Sequence, residues 1–128
     1  AIDPQLLEDS NDQKFYSALL RGRAGFDPAA VHEMLGRTRL DLGRARETAG
    51  DRAGAAQDYG LALRDLRASL EADPGRLDAM MTRGVVLLRL GETEKARRQF
   101  EEALQAAETQ GLAEQAARIR QMIAEVRG

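Results

Sequence analysis

Beyond position 27 the apolar residues recur with the period of an α-helix. In "RAGAAQDYGLALRDLRASLEA", Tyr59, Leu63, Leu66 and Leu70 follow one another at spacings of four, three and four, which is one helical face. In "TEKARRQFEEALQAAE", Ala96, Phe100, Ala103 and Ala107 do the same. Start and stop signals divide the chain. Ser10 with Gln13 reads as a capping box opening a helix over about 11–21, with Phe15, Tyr16, Leu19 and Leu20 as its heavy residues. "RGRAGFDP" is a turn, in which Asp27 suits an N-cap and Pro28 the first helical position, where no donor is needed. The next helix runs from about 28 to 49, although Gly36 and Gly43 inside it each cost ~1 kcal/mol relative to alanine. Gly50 supplies a left-handed stop and Asp51 caps a helix that ends at Asp73, Pro74 and Gly75. "LDAMMTRGVVLLRL" is stopped by Gly91, the following helix by Gly111, and "LAEQAARIRQMIAEV" closes the chain. No segment reads as a strand. About six helices joined by short connections make antiparallel neighbours.

The two middle hairpins are copies. Gly43 matches Gly84, Gly50 matches Gly91, Asp51 matches Glu92, Ala55 matches Ala96, Tyr59 matches Phe100, Ala62 matches Ala103 and Leu63 matches Leu104, always 41 positions apart. Small residues in mid-helix allow a partner helix to approach the backbone. Gly43 and Gly84 are expected to meet Ala55 and Ala96, with Tyr59 and Phe100 filling the gap toward the next hairpin.

These residues resemble the tetratricopeptide repeat family: a large residue, then Leu-Gly, a small-residue turn, and a spaced Ala, aromatic, Ala series. "LGRARETAGDRAGAAQDYGLAL" (Leu42 to Leu63) and "RGVVLLRLGETEKARRQFEEAL" (Arg83 to Leu104) carry the pattern. The resemblance implies an all-α fold of antiparallel helical hairpins stacked as a short right-handed superhelix. It implies one domain, with N-terminal helices over 1–35, repeats over 36–76 and 77–110, and a capping helix over 111–128. The chain departs from the family in its 41-residue offset, where ~34 is usual. The extra seven fall between Ala62 and Pro74, close to two helical turns, so Leu66 and Leu70 stay in phase with Tyr59 and Leu63 and the second helix projects farther. Arg83 stands where leucine is expected, Arg39 and Met80 where the first large residue is expected, and Glu108 replaces the closing proline.

Composition narrows the function classes. The 128 residues suffice for one core. A net charge of -2 with mixed signs offers no long-range attraction to nucleic acid or to an anionic membrane. There is no cysteine, hence no thiolate chemistry. No apolar run approaches the ~20 residues of a membrane span, so no membrane insertion is expected. The opening "AIDPQ" carries no signal-peptide pattern and reads as a processed protein or an excised piece; the compartment is open, with the cytoplasm favoured.

Candidate chemistry is sparse. His32 is the single histidine and cannot form a His cluster; a helix-surface or half-buried place is expected. Glu92 with Glu94 and Glu101 with Glu102 read as solvated helix surface, and "RGRAG" as a solvated turn. No phosphate-binding glycine loop is present. No cofactor, no metal and no enzymatic activity are expected.

The positive signal is a surface. In the resembled family the first helices of successive hairpins line a concave groove that binds a peptide or helix. The resemblance assigns to it Leu40, Arg44 and Glu47 with Thr48, then Met81, Val85, Leu88 and Arg89 with Asp78 and Thr82, and from the last helix Gln115, Ile119 and Met122 with Ala116. Met81, Val85 and Leu88 share one helix face, and Met81 and Met122 can adapt to a partner's shape. The same strip could instead pack within the chain or against a second copy. One family subtype grips C-terminal carboxylates with Lys, Asn and Arg; Arg44, Val85, Met81 and Thr82 replace those groups here, which argues against that subtype. The expected function is a protein-interaction module that binds a peptide or helix of another protein, and the alternative is homo-oligomerisation, for example as a homo-dimer. Neither reading involves nucleic acid.

Overall fold

The computed structural model describes residues 27–127. The helix expected over 11–21 lies outside them. Among the described residues there are five α-helices and no strand: α1 (Pro28–Thr48), α2 (Arg52–Ala72), α3 (Leu77–Arg89), α4 (Thr93–Thr109) and α5 (Ala113–Arg127). Consecutive helices pack on one another, and α1 also touches α3. The result is an all-α stack of a tetratricopeptide-like kind.

Local chemistry sets the boundaries. Asp27 accepts hydrogen bonds from the Ala29 and Ala30 amides at 3.1 and 3.3 Å, with Pro28 in the first turn. Three turns are built alike. Gly50, Gly91 and Gly111 all have positive φ, and the amide after each donates to a carbonyl five residues back: Asp51 to Arg46, Glu92 to Leu87, Leu112 to Ala107. This is the paired closing bond of a glycine-terminated helix. The caps that follow differ. Asp51 accepts from the Gly54 amide at 2.9 Å, whereas Glu92 makes no capping bond and instead reaches Lys95 at 4.0 Å. A glutamate's extra methylene carries its carboxylate past the amides that aspartate can reach.

The atoms nearest to the mid-helix glycines belong to aromatic rings. A Cβ at Gly43 would lie within 3 Å of three Tyr59 ring atoms, and one at Gly84 within 3 Å of three Phe100 ring atoms. Tyr59 and Phe100 therefore fill the space inside their own hairpins, and Ala55 and Ala96 are buried in the same two cores as those rings. The long first hairpin repeats this motif two turns further out: a Cβ at Gly36 would meet Leu66 Cγ at 2.7 Å. Both helices of that hairpin are extended, not the second alone. In the 41-residue register α1 begins eight residues ahead of α3, and α2 runs four residues beyond α4.

Ion pairs flank the glycine contacts of the first hairpin. Arg46 Nε reaches Asp58 at 2.7 Å, and Arg39 Nε reaches the fully buried Asp65 at 3.5 Å. Both pairs link α1 to α2, seven residues apart on each helix. The second hairpin has Met80 in the core at the place of Arg39, and Arg83 donates to the buried Gln99, the counterpart of Asp58. His32 and Glu33 are both buried. Glu33 accepts from Arg76 Nε at 2.8 Å, tying α1 to the segment that leads into α3, and Ser69 Oγ donates to the Ala29 carbonyl at 2.7 Å.

One substitution at two glycines is expected to act with opposite signs. Gly84→Ala puts a methyl into the buried Phe100 ring and should destabilise by about 1–3 kcal/mol. Gly60 is exposed within α2 and has open space at its Cβ, so Gly60→Ala should stabilise by roughly 0.5–1 kcal/mol. Urea unfolding of the two variants beside the parent measures both.

Candidate partner-binding groove

The helix pattern that aims Gly43 and Gly84 at α2 and α4 aims another face of α1 and α3 outward. Arg37, Leu40, Asp41 and Arg44 of α1 and Met81, Thr82 and Val85 of α3 line one open groove of about 470 Å³. The two sides correspond in the 41-residue register: Leu40 with Met81, Asp41 with Thr82, Arg44 with Val85. One face of a repeated helix, presented twice side by side, thus makes the cleft.

Five residues expected from the sequence, Leu40, Arg44, Met81, Thr82 and Val85, come together here. Leu40 forms the floor, being buried in the first core. Met81 and Val85 are half-buried, one side against the core and the other toward the groove. Arg44 is exposed. Arg37 and Asp41 were not among the expected residues. The register carried their signal, since Asp41 is the counterpart of Thr82 and Arg37 that of Asp78.

The others lie around or away from this cleft. Glu47 is exposed one turn beyond Arg44, and its carboxylate accepts the Tyr59 hydroxyl. Arg89 is exposed at the end of α3, and Leu88 is half-buried against the second core. Asp78 is exposed on α3, one turn before the groove residue Thr82, whose Oγ1 donates to the Asp78 carbonyl at 2.9 Å. On α5, Gln115 is exposed and Met122 half-buried, but Ile119 is 1% exposed and packs in the second core with Ala116 and Ile123. The Ile119 side chain is therefore not open to a partner. Among the described residues no group of His, Cys, Asp or Glu is arranged to hold a metal ion, and no helix is long and apolar enough to cross a membrane.

Electrostatics mark the end of the groove nearest the Gly50 turn. Burial, and then the hydrogen bond and negative charge of Glu47, push the Tyr59 phenol up from 10.0 to about 12. Arg89 and Arg44 oppose that shift, so both cations lie within electrostatic reach of the same hydroxyl. Because the folded state favours the neutral phenol, its contribution to stability is present below about pH 10 and is lost as pH rises toward about 12. In a Tyr16→Phe background, the phenolate absorbance of Tyr59 should rise near pH 12 in place of 10. Glu47→Ala should lower that midpoint without restoring it to 10, because burial is the larger cause.

Residues 77–110 match the tetratricopeptide repeat family. The matched stretch is α3, α4 and the turn that closes α4, with Gly84, Gly91, Ala96 and Phe100 inside it. None of the curated proteins compared with the chain matches it.

Proposed function

We propose that the chain is a protein-interaction module that takes a peptide or helix of another protein into the groove between α1 and α3. The observation that carries this reading is the pairing of repeat-equivalent positions, Leu40 with Met81 and Arg44 with Val85, around one open cleft. A surface built twice from one helix face is what a stacked-repeat scaffold offers to an extended ligand. In the same reading the chain holds two tetratricopeptide repeats, 36–76 and 77–110, coiled as a short right-handed superhelix with α5 as cap. The matched repeat at 77–110 and its 41-residue copy support it, as does the exposed polar side of α5, where Glu114, Gln115, Arg118 and Gln121 stand.

A second reading, self-association, draws on another face. On α3, Ala79 and Val86 pack against α2 in the first core. Their counterparts on α1, Thr38 and Ala45, are exposed, and beside them stand Met34 at 64% and Leu42 at 45% exposure. A second copy covering this strip would bury two large apolar side chains.

Two measurements separate the readings. The immobilised chain should retain a partner from a lysate of its source, and Met81→Asp with Val85→Asp should release it while the helical circular dichroism stays unchanged. Equal retention by the double variant would remove the groove from consideration. Light scattering over a dilution series reads the second case: a mass that rises with concentration and falls back to monomer in Met34→Asp with Leu42→Asp supports a dimer, and a strict monomer at high concentration excludes it.

A further inference from the structure

We infer that residues 11–21 fold back as a helix whose Phe15, Tyr16, Leu19 and Leu20 cover the side of the first hairpin formed by Leu35, Leu61 and Ala68. This side lies away from the α1/α3 groove, and its occupant is a segment of the same chain. In the 41-residue register Leu35, Leu42, Leu61 and Ala68 correspond to Arg76, Arg83, Glu102 and Thr109. One side of the hairpin is thus apolar in the first copy and polar in the second. On α2, Leu61 and Ala68 each stand one turn beyond Asp58 and Asp65, the aspartates that hold Arg46 and Arg39 of α1. They therefore flank the ion pairs, on the other side from Tyr59, Ala62 and Leu66, which share the first core with Ala79 and Val86 of α3.

Burial shows that this side is shielded. Leu61, Arg64 and Ala68 are half-buried, and Arg64 Nε is buried with no hydrogen-bond partner among the described residues. Their counterparts on α4, Glu102, Gln105 and Thr109, are exposed. Yet the described helices surround the two alike: α2 meets α1 and α3, and α4 meets α3 and α5. The additional shielding of the first hairpin belongs to chain outside residues 27–127. It is present in a single chain, so no second copy supplies it. Beyond the described residues stand 1–26 and Gly128, and one glycine is too small to supply it.

Position and length select the segment. On α1, Leu35 is half-buried, whereas Leu42, two turns nearer Gly50, is 45% exposed. The cover thus sits toward the start of α1, where residues 1–26 join it. Residues 22–27 extend to about 20 Å, and Leu35 lies about 10 Å along the helix from Pro28, so the connection reaches. In a helix over 11–21, Phe15, Tyr16, Leu19 and Leu20 share one face and Lys14 stands on the opposite one. So short a helix is stable only when such a face is buried.

The chain contains no tryptophan, so Phe15→Trp and Lys14→Trp variants of the full chain each carry a single one. The tryptophan of Phe15→Trp should emit to the blue of that of Lys14→Trp and be quenched several-fold less by acrylamide, and dilution should change neither property. Adding Leu61→Glu with Ala68→Thr, the residues of the second hairpin, should bring the two variants to equal quenching while the chain keeps a cooperative urea transition. Leu35→Arg, on the other helix, should do the same and serves as the readout where that pair unfolds the chain. Equal quenching of the two tryptophans without these changes overturns the inference. So does shielding that survives Leu61→Glu with Ala68→Thr and Leu35→Arg, which would place the segment on another surface. Shielding lost on dilution, together with a falling mass in light scattering, would assign the cover to a second copy and overturn it equally.

Discussion

The contact of a bare glycine backbone with a large side chain of the facing helix is the constraint on which the stack depends. At Gly43 and Gly84 the ring of Tyr59 or Phe100 occupies the volume that any Cβ would claim, and at Gly36 the Leu66 side chain does so. Glycine costs helix stability at each position. It is kept there because the opposing ring is fully enclosed and has nowhere else to go. Close approach of the two helices decides how each hairpin's remaining faces are aimed. Leu40 then reaches the core from one side while Arg44, Met81 and Val85 are left facing out.

The polar interior of the first hairpin sets it apart from the second. The second hairpin fills the corresponding layer with Met80, but the longer pair of helices has arginine and aspartate there, Arg39 with Asp65 and Arg46 with Asp58. A buried carboxylate without its partner is strongly unfavourable, so these pairs contribute more to which helices meet, and in what register, than to net stability. Arg76, which holds Glu33 at 2.8 Å and Asp27 at 3.5 Å, extends the same control to the join between hairpins.

Helix existence and type were legible throughout the described residues because period, cap and glycine stop agreed. Asp27 with Pro28 and the three positive-φ glycines are cases where one residue type satisfies one backbone requirement. What each small residue faces was not legible. The sequence suggests alanine opposite each glycine, whereas the atoms nearest a Cβ at Gly43 and Gly84 are those of the Tyr59 and Phe100 rings. Of the groove, Leu40, Arg44, Met81, Thr82 and Val85 followed from the repeat. Ile119 did not, because α5 packs on α4 through Ala116, Ile119 and Ile123, and no second copy of that helix existed to set its phase. The buried Glu33 and Asp65 were equally hidden, since their partners Arg76 and Arg39 are distant in the chain.

The seven-residue spacing in the first hairpin has a consequence for its alignment. Gly36 and Gly43, Leu66 and Tyr59, Arg39 and Arg46, and Asp65 and Asp58 all recur at this interval. Sliding α2 along α1 by one such interval would pair one glycine with one bulky residue and one arginine with one aspartate again. Each slide would leave the other glycine, the other bulky side chain, one arginine and one buried aspartate without their partners. Either slide would move the chain reversal away from Gly50 and Asp51, into residues that are helical here. The short connector and the interior therefore select the same alignment.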